Sequence, residues 1–107
     1  MRSLFRRFKN DAKQRGYTWN LTDEAVQTLM QQHCFYCDAP PSQIAKHVAG
    51  NGHYVYNGLD RKDNTRGYEP DNVVACCKFC NYAKGDRTVE AFLAWIGAIY
   101  RHAVHPE

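Results

Sequence analysis

The sequence predicts a small α+β domain organised round two cysteine pairs. Three observations carry that expectation. Cys34-x-x-Cys37 and Cys77-x-x-Cys80 stand 39 residues apart. Two β-rich stretches lie between them, and segments of helical periodicity flank both pairs. At 107 residues the chain has the length of a single core. A 44% hydrophobic and 13% aromatic content can fill such a core and excludes a disordered tail. No apolar run approaches the ~18 residues of a membrane span, so no membrane partner is expected. The N-terminal stretch is charged and lacks the apolar centre of a secretory signal. Five cysteines without such a signal favour reduced thiols that bind metal over disulfides, and a cytoplasmic location.

The elements follow in order. Residues 3–15 read as a helix with Leu4, Phe5, Phe8 and Ala12 on one stripe, ended by Gly16. Residues 22–33 read as a second helix. Thr22 is its N-cap, Asp23 and Glu24 sit in its first turn, and Ala25, Val26, Leu29 and Met30 form its buried face. Pro40 and Pro41 mark a loop. Ser42–Val48 is assigned to a short helix, and Gly50-Asn51-Gly52 to a turn. Tyr54–Leu59 alternates and reads as one strand, Asp60–Pro70 as a polar loop, and Val73–Ala75 as a second strand. The two strands would form a hairpin with a long connection. Asn81–Lys84 reads as a short helix ended by Gly85. Residues 88–101 form an amphipathic helix capped by Thr88, and His102–Glu107 a frayed tail.

The cysteine pairs are the strongest chemical signal. A two-residue spacer lets two thiolates converge on one ion, and two such knuckles complete a tetrahedral site for structural Zn²⁺. Cys34, Cys37, Cys77 and Cys80 are the expected ligands. The insert between them must then fold so that its ends meet. Cys76, beside Cys77, is surplus to a closed four-ligand site and reads as a small buried residue.

Charge is concentrated at one end. Residues 1–16 carry Arg2, Arg6, Arg7, Lys9, Lys13 and Arg15 against Asp11, a balance of +5, while the remaining residues sum to −2. This divides the chain into a basic N-terminal helix, 1–16, and a zinc-binding unit, 17–107. Six cations on one helix suit the phosphates of a nucleic acid, with DNA expected and RNA the alternative. Phe5 and Phe8 would dock the helix on the zinc unit.

Between the knuckles the residues take on a pattern. Gly58-Leu59-Asp60-Arg61, Gly67-Tyr68, Asn72-Val73-Val74 and Cys77-x-x-Cys80-Asn81-x-x-Lys84 together resemble the HNH endonucleases with their ββα-metal fold. The resemblance covers residues 21–100 and looks like a subgroup of small stand-alone proteins common in phage genomes. It implies hydrolysis of DNA phosphodiester bonds with a divalent ion, Mg²⁺ or Mn²⁺. Asp60 and Asn81 would hold that ion and Asn72 would brace the loop. Lys84 would lie near the phosphate backbone. For a phage protein the location would be the bacterial host cytoplasm.

One position departs from the pattern. Arg61 stands where the family has its general-base histidine. Arginine stays protonated and cannot take a proton from water, although its fork can bind phosphate. His53, His47 and Asp63 are the substitute bases within the segment. Two further readings therefore accompany the nuclease. One is a catalytically impaired scaffold that binds nucleic acid. The other is a phage-type inhibitor with a host defence protein as partner.

Overall fold

In the computed structural model, residues 2–48 and 52–105 are described, with the side chains of Arg2, His47 and Val48 outside that set. The chain runs α1 (Arg2–Gln14), α2 (Asp23–Met30), β1 (Gln43–Val48), β2 (Gly52–Tyr56), β3 (Gly58–Arg61), β4 (Val73–Cys76), α3 (Lys78–Lys84) and α4 (Val89–Ile99). A π-helical turn, Tyr100–Val104, extends α4. The strands make two separate antiparallel hairpins, β1–β2 and β3–β4. The expected α+β class holds.

The helices form where the sequence marks them. Thr22 Oγ1 accepts from the Ala25 amide at 3.1 Å and Thr88 Oγ1 from the Ala91 amide at 3.0 Å, so both threonines cap as expected. Gly16 leaves α1 at φ 82°, a conformation that suits glycine. Leu4, Phe5 and Ala12 of α1 are buried. Leu4 and Phe5 join one core with Leu21, Val26, Met30, Tyr56, Leu59 and Val73. A smaller cluster gathers Cys34, Cys76 and Cys77, with Tyr36, Ala39 and Cys80 against it.

Four assignments are corrected. Residues 43–48 form a strand instead of a short helix. Ile44 pairs with Val55 and Lys46 with His53, and this cross-strand pairing overrides a weak local preference. The stretch 54–59 is two strands broken at Asn57. Asn57 is fully buried: its amide Nδ2 donates to the carbonyls of Gln32 at 2.9 Å and Ala39 at 3.2 Å, and its backbone N–H to Met30 O at 2.9 Å. The chain is thereby tied to the end of α2 and passes from one hairpin to the other. The loop expected from Asp60 begins later, because Asp60 and Arg61 pair with Val74 and Val73. The C-terminal tail is likewise shorter than expected, since the helical turn persists to Val104.

The hairpin β3–β4 followed by α3 is the unit that positions the site. Its long connection closes on the segment after α1. Tyr68 N donates to Thr18 O at 2.9 Å and Asn20 N to Tyr68 O at 2.8 Å. Gly67 is required by this approach: a Cβ there would lie 2.1 Å from Thr18 Oγ1 and 2.7 Å from the Thr18 carbonyl.

Candidate functional site

The two knuckles meet. The thiol sulfurs of Cys34, Cys37, Cys77 and Cys80 all lie within 4.8 Å of one another, and those of Cys37 and Cys77 are 3.6 Å apart. A tetrahedron with Zn–S bonds of ~2.3 Å has S···S edges of about 3.8 Å, so the donor set fits one metal ion of the kind thiolates prefer, consistent with structural zinc. The backbone builds the first knuckle: Cys34 N donates to Ala39 O, Asp38 N to Cys34 O, and Phe35 N to Ala75 O on β4, at 2.8–2.9 Å. In the second, Cys77 caps α3 and its Sγ accepts from the Cys80 amide at 3.4 Å. Burial would raise the Cys34 thiol, but hydrogen bonding around it, chiefly from the backbone of Cys77, Cys37 and Tyr36, brings it down to about 7. Burial, with neighbouring thiols, pushes Cys80 up. Cys76 is buried beside the cluster and outside it, and burial raises its thiol.

Zinc knuckle and hairpin are joined through one side chain that sequence reasoning missed. Tyr36, inside the first Cys-x-x-Cys, donates its hydroxyl to Asp60 Oδ2 at 2.6 Å. Burial and the adjacent Asp60 carboxylate push the phenol well above its ordinary range. The Tyr36 ring packs edge-on against Phe92 of α4 at 5.4 Å. A spacer position between two ligands carries no sequence signal for such a role.

Asp60 has a second partner. Lys84 Nζ lies 3.3 Å from each of its carboxylate oxygens and 3.2 Å from the Arg61 carbonyl. Asp60 is 6% exposed and Lys84 fully buried. The expectation that Lys84 lies along a phosphate backbone is thus corrected. Its ammonium is enclosed between α3 and β3, because a buried carboxylate needs a counter-charge.

Arg61 is held too. Its Nη1 donates to the carbonyls of Asn64 and Arg66, both at 2.8 Å, and its guanidinium lies 3.5 Å from the Tyr17 ring centre. The side chain is 5% exposed, so it clamps the loop after β3 before it can serve any ligand. Asn72 grips the same loop: its Oδ1 accepts from Asp63 N at 3.0 Å, and its Nδ2 donates to Asp63 O at 3.1 Å and Gly67 O at 3.0 Å.

A polar cleft of about 180 Å³ opens beside these groups. Asp60, Arg61 and Asn81 line it, with Asp11 from α1, Arg15 from the turn after α1 and Asp86 from the turn after α3. Asn81 is exposed, with its Nδ2 3.4 Å from Leu59 O. The substitute bases do not gather here. His53 is exposed on β2 opposite Lys46, and Asp63 is exposed and accepts from Thr65 N and Oγ1. The side chain of His47 lies outside the described residues. Asp11 and Asp86 reach the cleft from elements that no local motif connects to Asp60.

Of the basic set, Arg6, Arg7, Lys9 and Lys13 are exposed on α1 and Arg15 in the turn just after it, and the Arg2 side chain lies outside the described residues. The stripe of α1 docks on the β1–β2 hairpin, with Phe5 edge-on to Tyr54 at 6.4 Å and Phe8 to Tyr56 at 6.3 Å. The Tyr54 hydroxyl is buried and finds no partner among the described residues.

The β3–β4 hairpin followed by α3, held by four converging cysteines, is an arrangement shared with a solved HNH nuclease structure. The rare-cutting HNH restriction endonuclease PacI, described as perturbing DNA, matches with a TM-score of 0.63, 21% identity, and coverage of 92% of this chain and 75% of its own. At that identity the likeness establishes the fold. Uncharacterized protein R423 of Acanthamoeba polyphaga mimivirus is 32% identical over 89 residues, covering 83% of this chain. The chain spans 15% of the length of that viral protein. No family model matches. No described helix is long and apolar enough to cross a membrane.

Proposed function

We propose that the protein is a divalent-metal-dependent nuclease of the HNH type that acts on DNA. One observation carries the reading: Asp60 and Asn81, from different elements, line one polar cleft in an HNH-type fold, beside a basic helix. Their oxygens, with Asp86 and Asp11 nearby, form the hard donor set that Mg²⁺ or Mn²⁺ takes. Such an ion, held by Asp60 and Asn81, would supply positive charge to the scissile phosphate.

The chain's own residues then have defined work. Lys84 and Tyr36 fix the Asp60 carboxylate in one rotamer. Asn72 and Arg61 hold the loop that walls the cleft, and the Arg61 charge lies at its edge. Proton removal from the attacking water falls to a carboxylate lining the cleft, Asp86 or Asp11, since neither His53 nor Asp63 does. A carboxylate is a weaker base than the imidazole it replaces, so turnover is slow.

The test is plasmid nicking by zinc-loaded protein with Mg²⁺ or Mn²⁺, against Asp60→Ala/Asn81→Ala prepared identically. Loss of ion charge from the phosphate is worth several kcal/mol, so nicking should fall by about 10²–10³-fold. Equal nicking by both proteins would assign the activity elsewhere.

A second reading has its own support. The lysine salt bridge already neutralises Asp60, which suits a scaffold that binds nucleic acid without cutting it. Both readings place phosphates on α1. If its four described cations and Arg15 in the turn after it contact the backbone, duplex affinity should fall by about 10²–10³-fold between 50 and 200 mM salt. Fluorescence anisotropy checks this, and a salt-independent affinity would remove α1 from the interface. Binding with that slope but without nicking would select the second reading.

A further inference from the structure

Helix α4 leaves apolar side chains in water. Leu93, Ile96, Tyr100 and Val104 are 51%, 43%, 52% and 66% exposed, and Trp95 and Ile99 beside them 42% and 40%. Phe92 is the only buried residue described on this helix. It anchors one edge of the apolar arc against Tyr36. The other edge faces outward. Its spacing of three, four and four residues keeps Leu93, Ile96, Tyr100 and Val104 on one stripe. The six side chains expose on the order of 500 Å², near the upper end of what a monomer leaves open.

We propose that this stripe pairs with the same stripe of a second copy, in an antiparallel two-fold helix pair. Three features choose that occupant. The first is charge. Glu90 and Arg101 flank the stripe on one side, near opposite ends of the helix. Antiparallel pairing sets Glu90 of each copy within reach of Arg101 of the other, whereas parallel pairing would leave these residues of the two copies on opposite sides of the contact. The second is Gly97. A glycine inside a helix costs about 1 kcal/mol relative to alanine. Within the chain, a Cβ at Gly97 would meet only the movable Arg101 Nη1 at 3.2 Å, so the fold itself does not need the glycine. It lies at the midpoint of the stripe, where two-fold related helices cross and a missing side chain lets them approach. The third is area. Two copies would bury about 800 Å² through the four stripe side chains, and the flanking Glu90, Gly97 and Arg101 bring the contact toward the ~1,000 Å² of a specific interface. The contact is isologous, so it closes at two copies.

Sedimentation equilibrium of the full, zinc-loaded chain at about 1–200 μM tests the proposal. A reversible dimer is expected. Ile96→Glu should weaken association at least 100-fold while far-UV circular dichroism is retained. Gly97→Ala should weaken it about tenfold although alanine favours the helix. Glu90→Arg should weaken it, and Glu90→Arg combined with Arg101→Glu should restore it, a pair of variants that disturbs no buried group. A wild-type chain that stays monomeric across the range overturns the proposal. So does a dimer indifferent to Ile96→Glu and Glu90→Arg, which would place its interface elsewhere.

Discussion

Stripping zinc from the four-cysteine cluster should unfold the segment between residues 34 and 85. The metal would join the first knuckle, after α2, to the second, at the start of α3, across a 39-residue insert. No disulfide bridges these thiols, since all five cysteines are free. The surrounding core is small: Cys34, Cys76 and Cys77 are its buried members. Structural zinc contributes on the order of 10 kcal/mol of apparent binding free energy in zinc-finger peptides, comparable to the whole stability of a domain. Cys77→Ser should act like chelation, because it removes one sulfur ligand while serine still caps α3. Thermal melting and circular dichroism before and after verified zinc removal check this. An unchanged melting curve would leave the cluster without a structural role. Since the ligands must be thiolates, loading should weaken as pH falls through about 7, the value for Cys34, while the higher thiols ionise only with the metal present.

Lys84→Met should destabilise the protein by about 3–5 kcal/mol. The substitution keeps most of the volume and removes the charge. Asp60 would then be a nearly buried carboxylate with the Tyr36 hydroxyl as its remaining side-chain donor, and breaking one side of a buried pair carries that cost. The Arg61 carbonyl would also lose a donor. Urea denaturation of both proteins measures the difference. The double variant Lys84→Met/Asp60→Asn should recover part of it, because no unpaired charge remains. A single variant as stable as the wild type would mean that water or a bound ion reaches Asp60 freely. The same comparison bears on the nuclease reading: if the lysine suppresses metal binding, loss of Lys84 should tighten Mg²⁺ or Mn²⁺ binding even as stability drops.

Much of the architecture was legible in the sequence. Helical periodicity located α1, α2 and α4, and the hydroxyl residues Thr22 and Thr88 cap where their positions suggest. Cys-x-x-Cys spacing located the metal ligands, because it states the geometry of a knuckle within four residues. What failed was local pattern without partners. Residues 43–48 carry no strong preference, and only pairing with β2 makes them a strand. Asn57 looked like the middle of one strand because its contacts with Gln32, Ala39 and Met30 come from distant sequence.

Side-chain chemistry divides in the same way. The sequence by itself determined which residues can ligate metal, where positive charge collects and which segments are helical, since these depend on residue type and short-range spacing. The tertiary structure decided that Lys84 is the counter-ion of Asp60 instead of a phosphate contact. It also committed Arg61 to its own loop and brought Tyr36 from the zinc knuckle to the Asp60 carboxylate. The two partners of Asp60 reach it across 24 residues, and the Arg61 clamp is completed by the Tyr17 ring from a distant segment. A buried charge takes whichever partner the fold brings near, and residue spacing does not encode that choice.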